Sequence, residues 1–253
     1  MRTFMETVQA TQVPEGGLGV FFLGQAGFLL KTPAGERIAI DPYLSNCCQR
    51  HFGFKRLMAR LVEPAELKLD TLLISHAHYD HFDPDSVPEL LTDNTALIGA
   101  KDVQAECDRL GLQGDITYLA CGQTAQRGSL QVTAVACDHG ELAPDAVGLL
   151  IRVGNKTVYY MGDTAYRPDL LENALLQNVD LLLLPINGAF GNLNEEQAAR
   201  VVARLQPKLA VPCHFWNFAE HGGDPARFME QMAKLAPQQA YCLMAQGEGM
   251  VLE

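Results

Sequence analysis

The stretch ISHAHYDHFD, positions 74–83, concentrates three of the chain's seven histidines and two aspartates at the end of an apolar run, TLLI. A short apolar run of this kind is typical of a buried strand, so the imidazoles lie where the chain leaves a sheet. The pattern His-x-His-x-Asp-His is expected by chance in roughly three of ten thousand sequences of this composition. The cluster therefore indicates a metal centre, and the fold must build that centre at a strand end.

The spacing within the cluster suits two cations. Side chains two apart in an extended segment point the same way, so His76 and His78 can face one ion together. A turn at Tyr79 lets Asp80 and His81 face a second ion. All of these donors are nitrogen or oxygen, which suits manganese, zinc or iron and argues against a thiolate zinc site. We therefore expect one or two divalent ions, manganese or zinc, with iron also compatible.

The same order of elements occurs twice along the chain. Short strands joined by turns are followed, in each half, by alternating strands and helices. This order predicts an α/β fold in which two mixed β-sheets pack face to face and are flanked by helices, as a single domain over 1–253. Residues 42–66 show no regular hydrophobic periodicity and are interpreted as a functional insertion or a lid. The predicted strands are 19–24, 28–32, 37–41, 71–75, 96–99, 130–137, 148–154, 156–162, 180–186, 208–212 and 240–244, and the predicted helices are 86–91, 101–110, 194–206 and 225–236.

Charge and segment composition limit the partners. The formal net charge is −11, which opposes non-specific binding to nucleic acid or anionic lipid. No run of eighteen apolar residues occurs, and the first residues do not resemble a secretory signal. The seven cysteines include no Cys-x-x-Cys pair and are interpreted as small buried side chains in a reducing compartment. We expect a cytoplasmic protein that acts on a small-molecule substrate and has no nucleic-acid or membrane partner. Homo-oligomer formation is compatible with the sequence.

Four more polar residues stand at the ends of predicted strands. Asp41 ends RIAID, His139 follows VTAVACD, Asp163 follows VYYMG and His214 follows LAVPC. Loops that leave the carboxyl ends of strands carry the sites of α/β folds. A lone histidine is more often a hydrogen-bonded structural residue, and Asp41 before a proline is also a turn residue. Their joint occurrence with the cluster favours a shared centre.

The motifs HAHYDH, CDHG, GDT and PCHFW, in this order, resemble the signature of the metallo-β-lactamase superfamily, and IDPYL resembles its early aspartate motif. The resemblance implies an αββα sandwich. It also implies a division of ligands: His76, His78 and His139 on one metal, Asp80, His81 and His214 on the other, Asp163 bridging the two, and Asp41 as a partner of a ligand histidine.

A narrower resemblance comes from three longer segments. GQAGFLLKTPAGERIAIDPYLS, LLPINGAFGNLNEEQAA and PCHFWNFAEHGGDP are most similar to the L-ascorbate-6-phosphate lactonase branch. Enzymes of that branch are associated with manganese. The resemblance implies a lactonase acting on a small sugar-acid lactone, with a phosphorylated substrate as one option, although the lactonase itself is a longer chain.

The expected reaction is hydrolysis by a metal-bound hydroxide. Two close cations lower the pKa of a shared water, and one of them polarises the substrate. Asp80, His81 and Asp163 are the predicted catalytic residues, and Asp80 is expected to orient the hydroxide and carry a proton to the leaving oxygen. The alternatives are a phosphodiesterase acting on a small phosphodiester and a metal-bound protein that binds a ligand without turnover. A di-iron redox enzyme is disfavoured because the chain leaves no room for an electron-carrier domain.

Substrate contacts are expected from the loops around the centre. A phosphorylated sugar acid needs cationic or amide donors. A solvated surface is the alternative for the basic run, and a hydrophobic rim or core is the alternative for Trp216. The predicted contacts are Arg50, Lys55, Arg56, Asn187, Gly188, Trp216 and His221, with His51 as a further candidate.

Overall fold

The strands of the protein are short, and most of them coincide with the apolar runs of the sequence. A computed structural model describes residues 2–253. Its strands are β1 (Leu18–Gly24), β2 (Gly27–Lys31), β3 (Arg37–Ile40), β4 (Thr71–Ile74), β5 (Ala96–Ala100), β6 (Ile116–Leu119), β7 (Thr124–Arg127), β8 (Leu130–Ala136), β9 (Val147–Val153), β10 (Lys156–Tyr160), β11 (Leu181–Pro185), β12 (Leu209–Cys213) and β13 (Gly249–Leu252). Its α-helices are α1 (Phe4–Ala10), α2 (Cys47–Phe52), α3 (Pro64–Leu67), α4 (Val87–Leu90), α5 (Val103–Leu110), α6 (Glu195–Leu205) and α7 (Pro225–Leu235).

The strands form two mixed sheets, which confirms the predicted fold class. The first sheet has the order β13-β1-β2-β3-β4-β5-β6, and the second has the order β12-β11-β10-β9-β8-β7. Neighbours from β3 to β6 are parallel, as are those from β10 to β12. The remaining pairs are antiparallel. With helices flanking the sheets, the arrangement is the predicted αββα sandwich.

One hydrophobic core extends through both sheets. Every residue of β1 and of β11 is buried, which requires that both faces of each sheet be covered. Full burial of a Leu or Phe side chain contributes about 1.5–3 kcal/mol to stability, so these strands anchor the fold. The capping box of Asn194 and Gln197 begins α6, and Gly154 and Asn155 form the tight turn between β9 and β10, both as the sequence predicts.

The sheet directions bring several strand ends to one edge. β3 and β4 are parallel neighbours, so the residues after Ile40 and Ile74 leave the first sheet side by side. β1 runs in the same direction as β3 because β2 is antiparallel to both. In the second sheet, β8, β10, β11 and β12 likewise share one direction. The loops after these strands therefore carry the polar residues to a common place.

The segment 42–66, which has no regular period in the sequence, forms helical structure and packs against the rest of the protein. It contains α2 and the start of α3, and Tyr43, Cys47 and Cys48 pack with Phe218 in a small second core. The buried carboxylate of Asp83 fixes its start by accepting hydrogen bonds from the backbone of Leu44 and Ser45 and from the Ser45 hydroxyl.

One predicted strand is wrong and several short elements were not predicted. Residues 240–244 make a single bridge, between Ala210 and Tyr241. The chain there crosses from the second sheet to the first, where Gly247 donates its N–H to Phe22 before β13 begins. The unpredicted strands and α-helices are short and have no long apolar run: α1, α2, α3, β6, β7 and β13. Across residues 2–253 no helix has both the length and the apolar character that a membrane crossing needs.

Candidate metal centre

Three imidazole nitrogens face one another at the first position of the centre. Nε2 of His76 lies 3.1 Å from Nδ1 of His78, and Nε2 of His139 lies 3.2 Å from that same Nδ1. The far nitrogen of His78 lies 3.1 Å from the carbonyl oxygen of Leu142 and that of His76 lies 3.0 Å from the Ser75 hydroxyl. These outer hydrogen bonds place a proton on the far nitrogens of His76 and His78, so their facing nitrogens present lone pairs. Nδ1 of His139 is buried and has no hydrogen-bond partner among residues 2–253. A cation would satisfy the facing lone pairs, which His76 and His78 cannot satisfy between themselves.

A second group of donors lies beside the first. Nε2 of His214 lies 3.4 Å from Nε2 of His81 and 3.3 Å from Oδ2 of Asp80, and the distance from Asp80 to His81 is 3.6 Å. The side chains of His81 and His214 are buried, and that of Asp80 is 13% exposed. This group has the mixed nitrogen and oxygen donors that manganese, zinc and iron accept.

Asp163 stands between the two groups. Its Oδ1 lies 3.3 Å from Nε2 of His81 and 3.3 Å from Nε2 of His214, whereas its Oδ2 lies 3.8 Å from Nε2 of His139. Within the described chain, Oδ1 is sealed from solvent and accepts no hydrogen bond. A buried carboxylate oxygen without a donor is costly unless a cation neutralises it. The donor sets therefore fit one or two divalent ions.

Asp41 supports the centre through hydrogen bonds. Its carboxylate accepts hydrogen bonds from the Ser75 N–H (2.8 Å), the Ser75 hydroxyl, the Tyr160 hydroxyl (2.7 Å) and Nδ1 of His81 (2.7 Å). A third possible donor group, formed by Asp41, His76 and His81, is explained by these bonds. The bond to His81 orients that ring so that its Nε2 faces the second group.

Gln25 is a site residue that the sequence analysis did not identify. It follows β1 and is buried, and its Nε2 lies 2.8 Å from Oδ2 of Asp80. The available signal was its position, since it stands at the end of an apolar strand in the motif GQAG. Its contact with Asp80 spans 55 positions, which no local pattern reveals.

Several residues of the centre have a left-handed backbone. The φ angles are +53° at Gln25, +42° at Asp41 and +61° at His214. For a residue with a Cβ this conformation costs roughly 1–2 kcal/mol. The surrounding hydrogen bonds hold these residues in it, and each turn directs a functional side chain away from the sheet and into the centre.

The two donor groups differ in their electrostatics when no cation is present. Burial lowers the pKa of His76 well below its ordinary value, and the neighbouring His81 adds to the effect. Burial would also lower the pKa of His214, but Asp163 and Asp80 outweigh it and raise that pKa to about 9. Burial would raise the pKa of Asp163, yet His214 and His81 hold it well below its usual value. In the absence of a cation, His76 is thus a neutral imidazole, whereas His214 is an imidazolium beside the carboxylates of Asp80 and Asp163.

A cavity of about 390 Å³ opens over both groups. Its remaining surface is dominated by aromatic and aliphatic side chains, with the Asn192 amide as a polar exception that makes no hydrogen bond within residues 2–253. No lysine or arginine is among the lining residues of the described chain. Besides the donor groups, the cavity is lined by Cys48, Phe52, Phe54, Ala77, Tyr79, Leu142, Phe190, Asn192 and His221.

The basic residues predicted to contact a substrate do not reach this cavity. Arg50 forms a two-oxygen ion pair with Asp85. The half-buried Arg56 donates to the backbone oxygens of Ser45 and Met58. Lys55 is exposed to solvent, and His51 packs its edge against Tyr79. These side chains are therefore committed to the folding of the 42–66 segment or to the surface.

Of the other predicted substrate contacts, some lie at the cavity and others lie away from it. His221 lines the cavity and stacks on His214, with ring centroids 5.0 Å apart and an interplanar angle of 11°. Asn187 and Gly188 lie at the base of a loop that a bridge between Asn187 and Asn194 closes, so the loop's later residues reach the cavity instead. Trp216 is 59% exposed and lines a separate surface groove. Only His221 of the predicted substrate contacts is brought to the centre.

Comparisons with known proteins agree with this architecture. The family described as "Beta-lactamase superfamily domain" matches residues 19–214. A UPF0173 metal-dependent hydrolase of Rubrobacter xylanophilus is 29% identical over 248 residues, covering 92% of this chain and 96% of that protein. One from Anaeromyxobacter sp. is 32% identical over 226 residues, covering 83% and 79%. The metallo hydrolase Igni18 of Ignicoccus hospitalis has a TM-score of 0.75 at 23% identity, over 94% of this chain and 99% of that one. The matched family span contains both donor groups and Asp163.

Proposed function

The chain belongs to the metallo-β-lactamase superfamily and to its UPF0173 metal-dependent hydrolases, and from this premise we propose that it hydrolyses the ester or lactone bond of a small, uncharged substrate. The metal-dependent hydrolase activity follows from family membership together with the His/Asp cluster. The bond and the substrate are the proposed part.

The observation that carries the proposal is the composition of the cavity. Phe52, Phe54, Phe190 and Leu142 lie around the donor groups, and no cationic side chain of the described lining balances a phosphate. Burying an anion in such a surface is costly, whereas an uncharged acyl or alkyl group gains from it about 25 cal/mol per Å² of apolar area removed from water. A phosphorylated sugar-acid lactone, which the narrower resemblance implied, is therefore disfavoured relative to an uncharged lactone.

We propose that the seven clustered histidines and aspartates hold the cations, with manganese and zinc as the first candidates. Bound there, the cations would supply Lewis acidity and an activated water. Asp163 would hold the two donor groups in register, and Asp80 would carry the proton. His81 and His214 oppose the effect of burial and keep the pKa of Asp80 well below its usual value, so its ionised carboxylate can accept a hydrogen bond from the attacking water and orient it.

A substrate panel tests the proposal. Protein purified without added ions is analysed for bound metal, then assayed with uncharged lactones and aryl esters, a phosphorylated lactone, and bis-p-nitrophenyl phosphate. We expect the uncharged lactones or esters to give the highest kcat/KM. Faster turnover of the phosphodiester would overturn the ester assignment, and a fully metal-loaded protein inactive on the whole panel would favour a binding function.

Two variants sharpen the panel. Phe54→Ala removes an aromatic wall of the cavity, and we expect KM for apolar esters to rise by about tenfold, since the truncation removes roughly 1.5 kcal/mol of apolar contact. Arg50→Ala is the matched control because Arg50 pairs with Asp85 outside the cavity. If Arg50→Ala instead greatly lowers kcat/KM for the phosphorylated lactone, the result would support an anionic substrate.

A further inference from the structure

We propose that Gln25 and His221 act together to present one hydrogen-bond donor, the Nε2–H of His221, to the substrate oxygen on which negative charge develops. His221 would be a catalytic residue that is not a metal ligand, and Gln25 would be its positioning residue. The identity of the acceptor as an ester oxygen rests on the proposed function. The direction of the hydrogen bonds in the protein does not.

The orientation of the Gln25 side chain follows from Asp80. A carboxylate can only accept hydrogen bonds, and the Gln25 atom 2.8 Å from Oδ2 of Asp80 must therefore be the amide nitrogen. That nitrogen carries two hydrogens. Its next nearest polar neighbour is Nδ1 of His221, at 3.2 Å. Nε2 of His214 lies almost as close, at 3.3 Å, but it faces the carboxylates of the second donor group. One N–H of Gln25 thus goes to Asp80 and the other to His221.

The orientation of the amide in turn fixes the tautomer of His221. Because Nδ1 accepts a hydrogen bond from Gln25, the neutral ring carries its proton on Nε2. A neutral Nε2–H tautomer is a donor at the position across the ring from Gln25.

The His221 ring cannot turn to offer its other nitrogen. Its face stacks on His214, and Phe54, Phe190 and Phe218 surround it with centroid distances of 5.5, 5.3 and 4.9 Å. Held in this way, the ring loses little entropy when it donates, which is the condition for a preorganised donor.

The donor nitrogen itself is free. Within residues 2–253, Nε2 of His221 makes no hydrogen bond, and it is not among the sealed polar atoms. His221 lines the cavity in which the substrate must lie. In a cavity with a mainly apolar wall, such a donor selects and orients one substrate oxygen.

The first test reads the tautomer without any substrate. Nitrogen-15 spectra of imidazole-labelled, zinc-loaded protein distinguish Nδ1–H from Nε2–H. We expect Nε2–H for His221 in the wild type and a shift toward Nδ1–H in Gln25→Met, which keeps the length of the side chain and removes both donors. Asn192→Ala, which alters another polar residue of the cavity, is the matched control and should leave the His221 signal unchanged. An Nδ1–H tautomer in the wild type, or no change in Gln25→Met, would overturn the proposal.

The second test reads catalysis on the best ester from the panel. His221→Phe keeps an aromatic ring but has no donor, and we expect kcat to fall by about 10²-fold with KM and metal content little changed, as for loss of one oxyanion donor. His221→Gln restores an N–H and should recover part of the rate. Undiminished kcat in metal-loaded His221→Phe would overturn the catalytic role. If the wild type turns over no ester, the proposed function fails, while the tautomer measurement still decides whether Gln25 sets the donor.

Discussion

Nδ1 of His81 lies 2.7 Å from Oδ2 of Asp41, and both side chains are fully buried. The hydrogen bond orients the imidazole so that its Nε2 faces the second donor group. We expect Asp41→Ala to retain metal binding with an affinity lowered by about 10–100-fold, as is usual when the partner of a ligand histidine is lost. Titration with manganese or zinc, with metal analysis after dialysis, measures the change. An unaltered affinity would show that His81 keeps its orientation without Asp41.

Substitution of Asp163 should weaken metal binding more than substitution of Asp41, because the two carboxylate oxygens of Asp163 face different donor groups. We expect Asp163→Ala to lose both cations and all hydrolytic activity. Removing the carboxylate takes away a ligand and also leaves His81 and His214 without their main counter-charge. Inductively coupled plasma analysis of purified protein gives the metal content. Equal content in the wild type and in Asp163→Ala would refute the bridging role.

The pH dependence of metal binding should differ between the two groups. The pKa of His214 is raised to about 9 in the cation-free protein, so this ring is protonated at pH 7 and must release its proton when a cation binds. The affinity of the second group should therefore rise with pH up to about 9, by about tenfold per pH unit for each proton released. His76 is already neutral because its pKa is lowered, so the first group should release no proton from it at pH 7.

Calorimetric titration in buffers of different ionisation enthalpy measures this proton release. We expect one class of binding step to depend on the buffer and the other to be nearly independent of it. Identical proton release at both steps would contradict the assignment of a charged His214 and a neutral His76.

A structural prediction concerns Asp83, which lies in the histidine-rich stretch but outside the metal centre. Its carboxylate accepts hydrogen bonds from buried groups of Leu44, Ser45 and Ser86. Asp83→Ala leaves these donors unsatisfied, at about 1–3 kcal/mol each, so we expect the free energy of unfolding to fall by at least about 3 kcal/mol. Urea denaturation measures it. Asp85→Ala, which removes only an exposed ion pair with Arg50, should cost less than about 1 kcal/mol.

The sequence predicts the donor groups because each of their residues follows an apolar run that becomes a strand. His139 and His214 stand alone in the sequence, but β8 and β12 end at the same edge of one sheet, so the pattern of strands brings them together. The fold class follows for the same reason. Strand and helix order is encoded in local periodicity, which the chain shows clearly in its longer elements.

The wall of the cavity could not be predicted in this way. Whether Arg50 faces a substrate or Asp85 depends on how the 42–66 segment folds, and that segment has no period from which its path can be derived. Gln25 meets His221 across 196 positions. Such contacts depend on side-chain directions set by left-handed turns. The four-residue strands β6, β7 and β13 were missed because they are too short to show a period, and pairing with longer neighbours stabilises them.

The left-handed turns at Gln25, Asp41 and His214 have a consequence for the lifetime of the protein. Each turn is a conformation that the isolated chain avoids, and it persists because its side chain is engaged at the centre. Removal of the cations takes away part of what holds the loops in place, so the metal-depleted protein should open locally at this edge before it unfolds elsewhere. Scarcity of divalent ions would then shorten the survival of the polypeptide against proteases as well as stop its turnover.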